Sequence, residues 1–181
     1  MKEILVDLEK CLACKTCEIT CAVEHSQSKN LFSAIFEKPL PKQRVFVEYA
    51  EGYELGTSFP IQCRHCEDAP CVGACISGAM TKDEKTGIVS VDEDRCIGCS
   101  MCVMVCPFGV IVPAEETRIS LKCDQCKHRE IPACVESCPV EALQYLDPGE
   151  VTEEKRKKIV RIVAGTKPRV EKGILTGLTL K

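Results

Sequence analysis

The sequence predicts an α+β fold of small antiparallel hairpins and short helices, arranged around bound metal rather than around a large apolar core. Three observations lead to this prediction. Sixteen of the 181 residues are cysteines, short apolar runs precede the cysteine groups, and Leu, Ile, Val and Phe are only modestly represented. Small domains bury little surface and often depend on metals for stability. We therefore expect the fold to depend on what the cysteines bind.

The β-strands are predicted from short runs rich in β-branched residues. Such runs precede every cysteine group, at residues 4–6, 59–61, 88–91 and 119–121. Residues 79–91 form a predicted hairpin with a turn near Gly87. A second hairpin is predicted from the run at 44–49 and a turn at Gly52, and a further strand at 142–146.

Short helical turns are predicted between the third and fourth cysteine of each group, because an i, i+4 pair then lies on one face. Pro107 and Pro139 end two of these turns. A longer helix is predicted over residues 152–164, with Thr152 as N-cap and acidic residues before basic ones. Residues 165–181 are expected to form a tail. The helix would dock on the core or on a partner through Ile159, Val160, Ile162 and Val163.

The cysteines fall into four groups of four that share one pattern, which makes them an internal repeat. Each group begins CxxC and ends CxxxC, and only the middle gap changes, from two to four to two to seven residues. We number them as groups one to four. They are Cys11, Cys14, Cys17 and Cys21; Cys63, Cys66, Cys71 and Cys75; Cys96, Cys99, Cys102 and Cys106; and Cys123, Cys126, Cys134 and Cys138.

The spacing within the groups indicates the chemistry. In the CxxCxxCxxxCP run of bacterial ferredoxins, three cysteines bind one [4Fe–4S] cluster and the fourth binds a neighbouring cluster. Group three matches this run completely, including Pro107. Group four has a longer middle loop and keeps Pro139, whereas groups one and two have Ala22 and Ile76 in place of the proline. The spacing therefore predicts iron bound through all sixteen cysteines, in iron–sulfur clusters.

Zinc is the main alternative metal, since structural zinc sites also use CxxC pairs and four ligands. Zinc does not require a third cysteine soon afterwards and a fourth four residues later in every group, so spacing favours iron–sulfur by about twenty to one. A thioredoxin-like dithiol would need one distinctive pair in a βαβ context, which the sequence lacks. A zinc-stabilised interaction module stays open as a function of another class.

Three histidines could add ligands. In a Rieske site histidines replace two of the cysteines, but here every group has all four cysteines. His65 and His128 are interpreted as loop residues that donate hydrogen bonds to cluster sulfur or to backbone. His25, next to Glu24, is interpreted as a surface residue. No nucleophilic triad, phosphate loop or carboxylate pair rises above chance, so no catalytic residue is predicted.

Composition and charge restrict the function classes. The chain begins MKEILVDLEKC without a secretory signal, and no apolar run is long enough to span a membrane. We expect a cytoplasmic protein with no direct membrane span, where disulfides are rare and metal ligation is favoured. Residues 151–181 carry nine Lys and Arg against three Glu. The lack of tryptophan and the low aromatic content argue against nucleic acid as a partner.

The four groups with these gaps resemble those of the four-cluster, ferredoxin-like electron-transfer subunits that accompany molybdenum oxidoreductases, formate dehydrogenases and hydrogenases. The resemblance covers residues 1–147. Within that family, CooF-type subunits, the iron–sulfur partners of nickel carbon monoxide dehydrogenase, are most similar. The stretches that carry this similarity are KEILVDLEKCLACKTCEITCAVEHS, FPIQCRHCEDAPCVGAC and CIGCSMCVMVCPFG. The resemblance implies two ferredoxin-like units, each with two [4Fe–4S] clusters.

The resemblance also implies how the cysteines pair. Groups two and three would form an inner unit over residues 63–109, and groups one and four an outer unit from residues 1–21 and 110–147. Residues 22–62 would be an insertion with the hairpin, and residues 148–181 the basic helix and tail. The implied ligand sets are Cys11, Cys14, Cys17 and Cys138 for cluster one; Cys123, Cys126, Cys134 and Cys21 for cluster two; Cys63, Cys66, Cys71 and Cys106 for cluster three; and Cys96, Cys99, Cys102 and Cys75 for cluster four.

The function implied by the resemblance is the relay of single electrons through the four clusters, without a catalytic residue in the chain itself. The expected donor is a carbon monoxide dehydrogenase. The expected acceptor is a hydrogenase, a flavin-dependent reductase or another carrier. The alternative within this class is the equivalent subunit of a formate dehydrogenase or hydrogenase.

Overall fold

The computed structural model describes residues 2–49 and 58–165. These residues fall into two compact units. The larger unit runs from Ile4 to Tyr145 and contains all four cysteine groups, and the second combines the N-terminal residues with the chain from Leu146 onward. Within the described residues there are six short or medium helices and eight strands. The predicted α+β class, with small hairpins and short helices, is confirmed.

The elements alternate along the chain, and most are only two to five residues long. Among the helices of the described residues, only α1 and α6 are longer than two helical turns. In chain order the elements are β1 Glu3–Val6, α1 Thr16–Glu24, α2 Leu31–Ala34, β2 Val45–Tyr49, β3 Ser58–Gln62, α3 Pro70–Gly73, β4 Met80–Lys82, β5 Val89–Val91, α4 Met101–Val105, β6 Val112–Pro113, β7 Ser120–Leu121, α5 Ala133–Glu136, β8 Leu143–Leu146 and α6 Pro148–Gly165.

The described strands pair into four two-stranded sheets. Three are antiparallel hairpins of consecutive strands, namely β2 with β3, β4 with β5 and β6 with β7. The fourth sheet joins the two ends of the cysteine-binding region, because β1 pairs with β8. The strands predicted before the cysteine groups and at 142–146 are confirmed. The turn predicted at Gly52 lies outside the described residues.

Two short elements were not predicted from the sequence. α2 follows Asn30, whose side-chain oxygen accepts hydrogen bonds from the N–H groups of Phe32 and Ser33. Asparagine is a strong N-cap residue, but four helical residues are too few to show a helical period. β6 is only Val112–Pro113, and proline within a short run argues against a strand. The Asn30 cap begins α2, and pairing with the following strand β7 holds β6.

Each cysteine group places its third cysteine in a short helix, as the i, i+4 spacing predicts. These four residues are all buried, and they are Cys17 in α1, Cys71 in α3, Cys102 in α4 and Cys134 in α5. α4 and α5 end before Pro107 and Pro139. α1 has Ala22 at the corresponding position, which permits the helix to continue to Glu24, whereas α3 ends at Gly73 although Ile76 replaces the proline there.

The C-terminal helix begins earlier than the sequence pattern indicates. α6 starts at Pro148, so the predicted N-cap at Thr152 is wrong. The Oδ1 of Asp147 accepts a hydrogen bond from the N–H of Gly149 at 2.9 Å, and proline is favoured in the first helical turn. The Thr152 hydroxyl instead donates to the carbonyl of Pro148 inside the helix. The predicted tail from residue 166 onward lies outside the described residues.

α6 is strongly charged on its surface. Glu153 and Lys157 form an i, i+4 ion pair at 2.6 Å. The side chains of Ile159, Val160 and Ile162 are each at least half exposed, and the docking of this apolar face stays a prediction. Among residues 2–49 and 58–165, no helix has the length and apolar character needed to cross a membrane.

The core of the larger unit is built from the cysteines themselves and a few aliphatic side chains. Val45 and Val47, from the predicted insertion, join the cysteines of groups one and four. That cluster of buried residues consists of Ile4, Cys17, Cys21, Val45, Val47, Cys123, Cys134 and Leu143. A second cluster combines groups two and three. It consists of Cys71, Met80, Val89, Cys102 and Ile111.

Candidate iron–sulfur centres

The CxxC loop that begins each group has the same backbone turn. Its third residue has a positive φ in all four groups, namely Ala13 (54°), His65 (47°), Gly98 (67°) and Gln125 (56°). Such backbone is uncommon for residues other than glycine, so its recurrence points to a functional constraint. Consecutive N–H groups in turns of this kind form concavities that bind anions. The loops are therefore shaped to surround a negatively charged group.

Backbone N–H groups donate to several cysteine sulfurs. Hydrogen bonds to ligand sulfur are one of the factors that set the reduction potential of an iron–sulfur cluster. In the CxxC loops of groups two and four, the N–H groups of His65 and Gln125 donate to Cys63 and Cys123, both at 3.4 Å. The fourth cysteines of three groups also accept such bonds. The pairs are Arg44 to Cys21 at 3.2 Å, and Met80 to Cys75 and Ala142 to Cys138 at 3.3 Å.

Two cavities are each lined by three cysteines of one group and one cysteine of another. The first brings Cys138 of group four to the first three cysteines of group one, with Val47 and Pro60 in its wall. The second brings Cys75 of group two to the first three cysteines of group three. Four sulfurs around a small apolar space provide the donor set that a [4Fe–4S] cluster requires. These cavities contain the sets implied for clusters one and four.

A third set of cysteines surrounds Cys134 in α5. Burial raises the pKa of the Cys134 thiol, and the nearby Cys123, Cys21 and Cys126 raise it further. Burial likewise raises the pKa of Cys126 to about 11. Buried thiols of this kind become thiolates when a metal compensates their charge. Cys21, and Cys17 with a smaller effect, are the neighbours from group one. The assignment of Cys123, Cys126, Cys134 and Cys21 to cluster two stays a prediction.

The fourth set surrounds Cys71 in α3. Burial raises the pKa of the Cys71 thiol, and the nearby Cys63 and Cys106 also raise it. Cys106 belongs to group three, whereas Cys63 and Cys71 belong to group two. Cys66 lies in the same CxxC loop as Cys63, and its carbonyl oxygen accepts a hydrogen bond from the Nζ of Lys82 at 2.9 Å. Cys63, Cys71 and Cys106 are therefore neighbours, and the full set of Cys63, Cys66, Cys71 and Cys106 stays a prediction.

The four sets differ in their exposure to solvent. Cys14 in the cluster one set and Cys99 in the cluster four set are exposed. All four cysteines of the cluster two set are buried. Solvent exposure is one of the factors that set cluster potentials, so the sets provide different environments for chemically identical ligands.

Two family models match this chain. Residues 56–148 match a 4Fe-4S dicluster domain, and residues 8–24 match a 4Fe-4S binding domain. The chain belongs to the ferredoxin-type [4Fe–4S] electron-transport family. Its sixteen cysteines and the two matches fit four [4Fe–4S] clusters, and the cysteine-lined cavities fit the same cofactor.

Three relatives illustrate the family. The Escherichia coli K12 electron transport protein HydN is 36% identical over 175 residues, which cover 86% of this chain and 95% of HydN. An iron–sulfur protein of Rhodospirillum rubrum is 39% identical, with 80% and 81% of the two chains covered. The thiosulfate reductase electron transfer subunit PhsB of Salmonella typhi is 34% identical, with 82% and 78% covered. HydN and PhsB are both named for electron transport or transfer, and none of the three names identifies carbon monoxide dehydrogenase as the partner.

Two serine hydroxyls contact ligand sulfurs in this ferredoxin-type protein. The Ser58 hydroxyl donates to Cys11 Sγ in the cluster one set, and the Ser120 hydroxyl contacts Cys102 Sγ in the cluster four set. Both serines are buried, and each is the first residue of a strand, β3 or β7. Sequence reasoning missed both, because no local spacing relates a serine to a cysteine so far away in the chain.

His25 is largely buried, so its prediction as a surface residue is wrong. Its side chain is only 10% exposed, because the extended α1 carries it against the CxxC loop of group four. Nδ1 lies 2.8 Å from the carbonyl oxygen of Cys21, and Nε2 lies 3.2 Å from Oδ1 of Asp124. Burial alone would lower the pKa of His25, but its hydrogen bond to Asp124 raises that pKa to about 9.

Asp124 is the centre of an ion-pair network with His25 and Arg44. Burial would raise the pKa of Asp124, but the His25 hydrogen bond and the Arg44 charge hold it well below its usual range. The Arg44 guanidinium lies 3.5 Å from Oδ2 of Asp124. Donor atoms of His25, Asp124 and Cys126 also lie within 4.8 Å of one another. The ion pair explains why His25 and Asp124 lie close together, and Cys126 belongs to the cluster two set.

The other two histidines have different partners. The backbone N–H of His65 donates to Cys63 Sγ, as expected, while its ring Nδ1 accepts from the N–H of Val89 at 3.0 Å. His128 does not contact cluster sulfur or backbone as predicted. Its Nε2 lies 2.7 Å from Oε1 of Glu24, because α1 extends far enough to bring that carboxylate to the loop of group four.

Two buried polar residues near the ligands gave no signal in the sequence. Lys122 is 2% exposed and Gln62 is 1% exposed. Each directly precedes the first cysteine of a group, Cys123 or Cys63. Lysine and glutamine are common at protein surfaces, so their burial beside ligands could only be found from the structure.

Proposed function

We propose that this chain is an electron-transfer subunit that relays single electrons through four [4Fe–4S] clusters and has no catalytic residue of its own. The two cavities in which Cys138 and Cys75 join three cysteines of another group carry the proposal. A fourth cysteine that crosses to the neighbouring cluster is characteristic of two-cluster ferredoxins. When bound, the clusters supply one-electron couples whose potentials depend on the surrounding protein.

The proposal assigns all sixteen cysteines to the four ligand sets implied by the resemblance. Groups one and four form the outer unit, and groups two and three form the inner unit. The two clusters of buried residues support this division. The buried residues of the larger unit separate into one cluster with cysteines of groups one and four and another with cysteines of groups two and three.

We further propose that the sets follow one another in a row, from cluster one to cluster four. Sets one and two share α1 through Cys17 and Cys21. Burial raises the pKa of Cys123, and the nearby Cys21 and Cys63 raise it further. Cys63 of set three is therefore close to Cys123 of set two. The exposed Cys14 and Cys99 belong to the two end sets, which are then the points of electron entry and exit.

The residues of the chain have three tasks in this relay. They hold each cluster through three cysteines of one loop and a fourth from another, which fixes the distances between neighbouring clusters. They bury all four cysteines of set two, and in set three they bury Cys71 while the other three cysteines are partly exposed. They also donate hydrogen bonds to ligand sulfur, which stabilises the more negative, reduced form of a cluster.

The proposed electron donor is a carbon monoxide dehydrogenase, and the proposed acceptor is a hydrogenase, a flavin-dependent reductase or another carrier in the cytoplasm. The support is the similarity of three sequence stretches to CooF-type subunits. The alternative is the equivalent subunit of a formate dehydrogenase or hydrogenase. Similarity to PhsB, an electron transfer subunit of thiosulfate reductase, supports a place beside a larger oxidoreductase in either case.

Anaerobic purification and metal analysis test the relay directly. We expect a brown protein with about sixteen iron and sixteen sulfide per chain, and four one-electron reductions in a titration followed by EPR spectroscopy. Clusters that never reduce would contradict the relay. Anaerobic pull-down from the native organism tests the partner, and copurification with a formate dehydrogenase alone would favour the alternative over carbon monoxide dehydrogenase.

A further inference from the structure

A buried lysine lies beside the ligands of the two central clusters. Lys122 is 2% exposed, and its Nζ donates to the carbonyl oxygen of Cys123 at 2.7 Å and to that of Val89. Within the described part of the chain, no carboxylate forms an ion pair with this ammonium. A buried charge is costly unless an opposite charge compensates it. The ammonium of Lys122 therefore requires a nearby negative group in addition to the two neutral carbonyls.

Lys122 contacts the surroundings of two different ligand sets. Its Nζ bonds to the carbonyl of Cys123, a ligand of set two, and to that of Val89, which packs in the same buried cluster as Cys71 of set three. Because Lys122 also bonds to β5 through Val89, it lies at the junction of the proposed inner and outer units. A single cation is thus in position to act on both central clusters.

His65 places an unpartnered donor in the same region. Its Nδ1 accepts from the N–H of Val89, so the neutral ring carries its proton on Nε2. Nε2 is buried and has no hydrogen-bond partner among residues 2–49 and 58–165. Val89 links this ring to Lys122, because its N–H donates to His65 and its carbonyl accepts from Lys122. Buried donors without partners are rare, and this one fits an acceptor that the polypeptide does not provide.

Gln62, on the other side of Cys63, is also buried and, in the part of the chain that the structure describes, without hydrogen-bond partners for its side chain. Its side chain is 1% exposed, and neither its amide oxygen nor its amide nitrogen has a partner in the described residues. Gln62 precedes Cys63 directly, whereas His65 follows it by two residues. Two unpartnered donors therefore flank Cys63, which packs against the buried cluster that contains Cys123 of set two.

We propose that Lys122, His65 and Gln62 form a buried donor layer that raises the reduction potentials of clusters two and three. This inference rests on the proposed function. One electron arrives from one neighbour in the relay and leaves to the other, and no proton or bond is exchanged. A cation and N–H donors favour the form that carries the additional negative charge, and the low local dielectric strengthens their effect.

The decisive variant is Lys122→Met, which removes the charge and keeps the length of the side chain. In an EPR-monitored redox titration of the intact holoprotein, we expect two of the four potentials to fall. At a fixed applied potential, the reduced-to-oxidised ratio of those two clusters should drop at least tenfold, which is about 59 mV for a one-electron couple. Lys122→Arg retains the charge and should recover most of the loss.

Lys82→Met is the matched control. Lys82 also donates through Nζ to two backbone carbonyls, those of Cys66 at 2.9 Å and Glu67 at 2.7 Å, but it is only partly buried. Water and salt screen its charge, so this variant should change the same ratio less than threefold. An equal effect of the two lysines would overturn a specific role for Lys122.

Gln62→Leu and His65→Leu provide a second route if Lys122→Met does not retain iron. Each should lower one or both of the same potentials, and His65→Leu should abolish the coupling of an exchangeable proton seen by ENDOR on the reduced central clusters. Suppose that the wild-type protein has four reducible clusters and that no iron-replete variant changes their potentials. This result would overturn the donor layer and leave the relay intact. Wild-type protein without reducible clusters would instead refute the relay itself.

Discussion

The hydroxyl oxygen of Ser120 lies 3.0 Å from the Sγ of Cys102, and both residues are buried. Ser58 has the same relation to Cys11, at 3.1 Å. One hydroxyl therefore contacts the ligand set of each proposed end cluster, although the two serines are in different hairpins. A hydrogen bond to ligand sulfur favours the reduced form of a cluster, so both contacts are expected to affect the potentials at which electrons enter and leave.

Ser120→Ala is expected to lower the potential of cluster four alone, by about 40 mV, because one hydrogen bond contributes about 1 kcal/mol. An EPR-monitored redox titration measures this shift. Ser58→Ala is the matched variant and should lower a different potential, that of cluster one. The interpretation fails if both variants shift the same cluster or if neither shifts any.

Two substitutions within group four test the crossed ligand sets. Cys138→Ala should damage cluster one, whose other ligands are in group one, whereas Cys134→Ala should damage cluster two. Mössbauer and EPR spectra of the two iron-replete proteins should therefore show the loss or conversion of two different clusters. If each group instead bound its own metal centre, the two variants would alter the same signals.

Oxygen should attack the clusters in a defined order. Cys14 and Cys99 are exposed, whereas all ligands of cluster two are buried, and solvent access controls oxidation at sulfur. During controlled exposure to air, we expect the EPR signals of clusters one and four to disappear at least several times faster than that of cluster two. Freeze-quenched samples would measure the rates, and simultaneous loss of all four signals would contradict the order.

Glu24 is expected to stabilise the contact between α1 and group four. Its side chain is 10% exposed and accepts from His128 at 2.7 Å, Arg129 at 2.8 Å and Lys29 at 3.4 Å. Burial would raise the pKa of Glu24, but these partners lower it on balance. Its stabilising effect is therefore present above the unfolded pKa of about 4.3, and is lost as pH falls through the lower folded value.

Glu24→Gln should accordingly reduce stability at pH 7 by about 2 kcal/mol, because a mostly buried carboxylate loses charged partners. The midpoint of anaerobic guanidinium unfolding, followed by circular dichroism, measures the change. Glu136→Gln is the control. Its carboxylate contacts Arg129 as well but is 60% exposed, so the expected loss is below about 0.5 kcal/mol. Equal losses would show that Glu24 has no special role.

The sequence predicted features that depend on spacing within a short stretch. The strands at the apolar runs and the helical turn at each third cysteine follow from local pattern, whereas the three-plus-one division of ligands stays a prediction. It did not predict features that depend on long-range packing. His25 lies 99 positions from Asp124, and nothing next to His25 indicates that partner. The early start of α6 was missed for a different reason. Asp147 and Pro148 are common both in turns and at helix starts, so the local pattern is ambiguous.

The pairing of β1 with β8 determines the order in which a growing chain can complete its metal sites. Under the proposed ligand sets, the inner unit has all of its cysteines once Cys106 has been synthesised. Cys11, Cys14 and Cys17 must wait for Cys138, the fourth ligand of their cluster, and β1 must wait for β8. The first cysteines to leave the ribosome are thus among the last to be fully ligated, and they need protection from oxidation or from competing metals during translation.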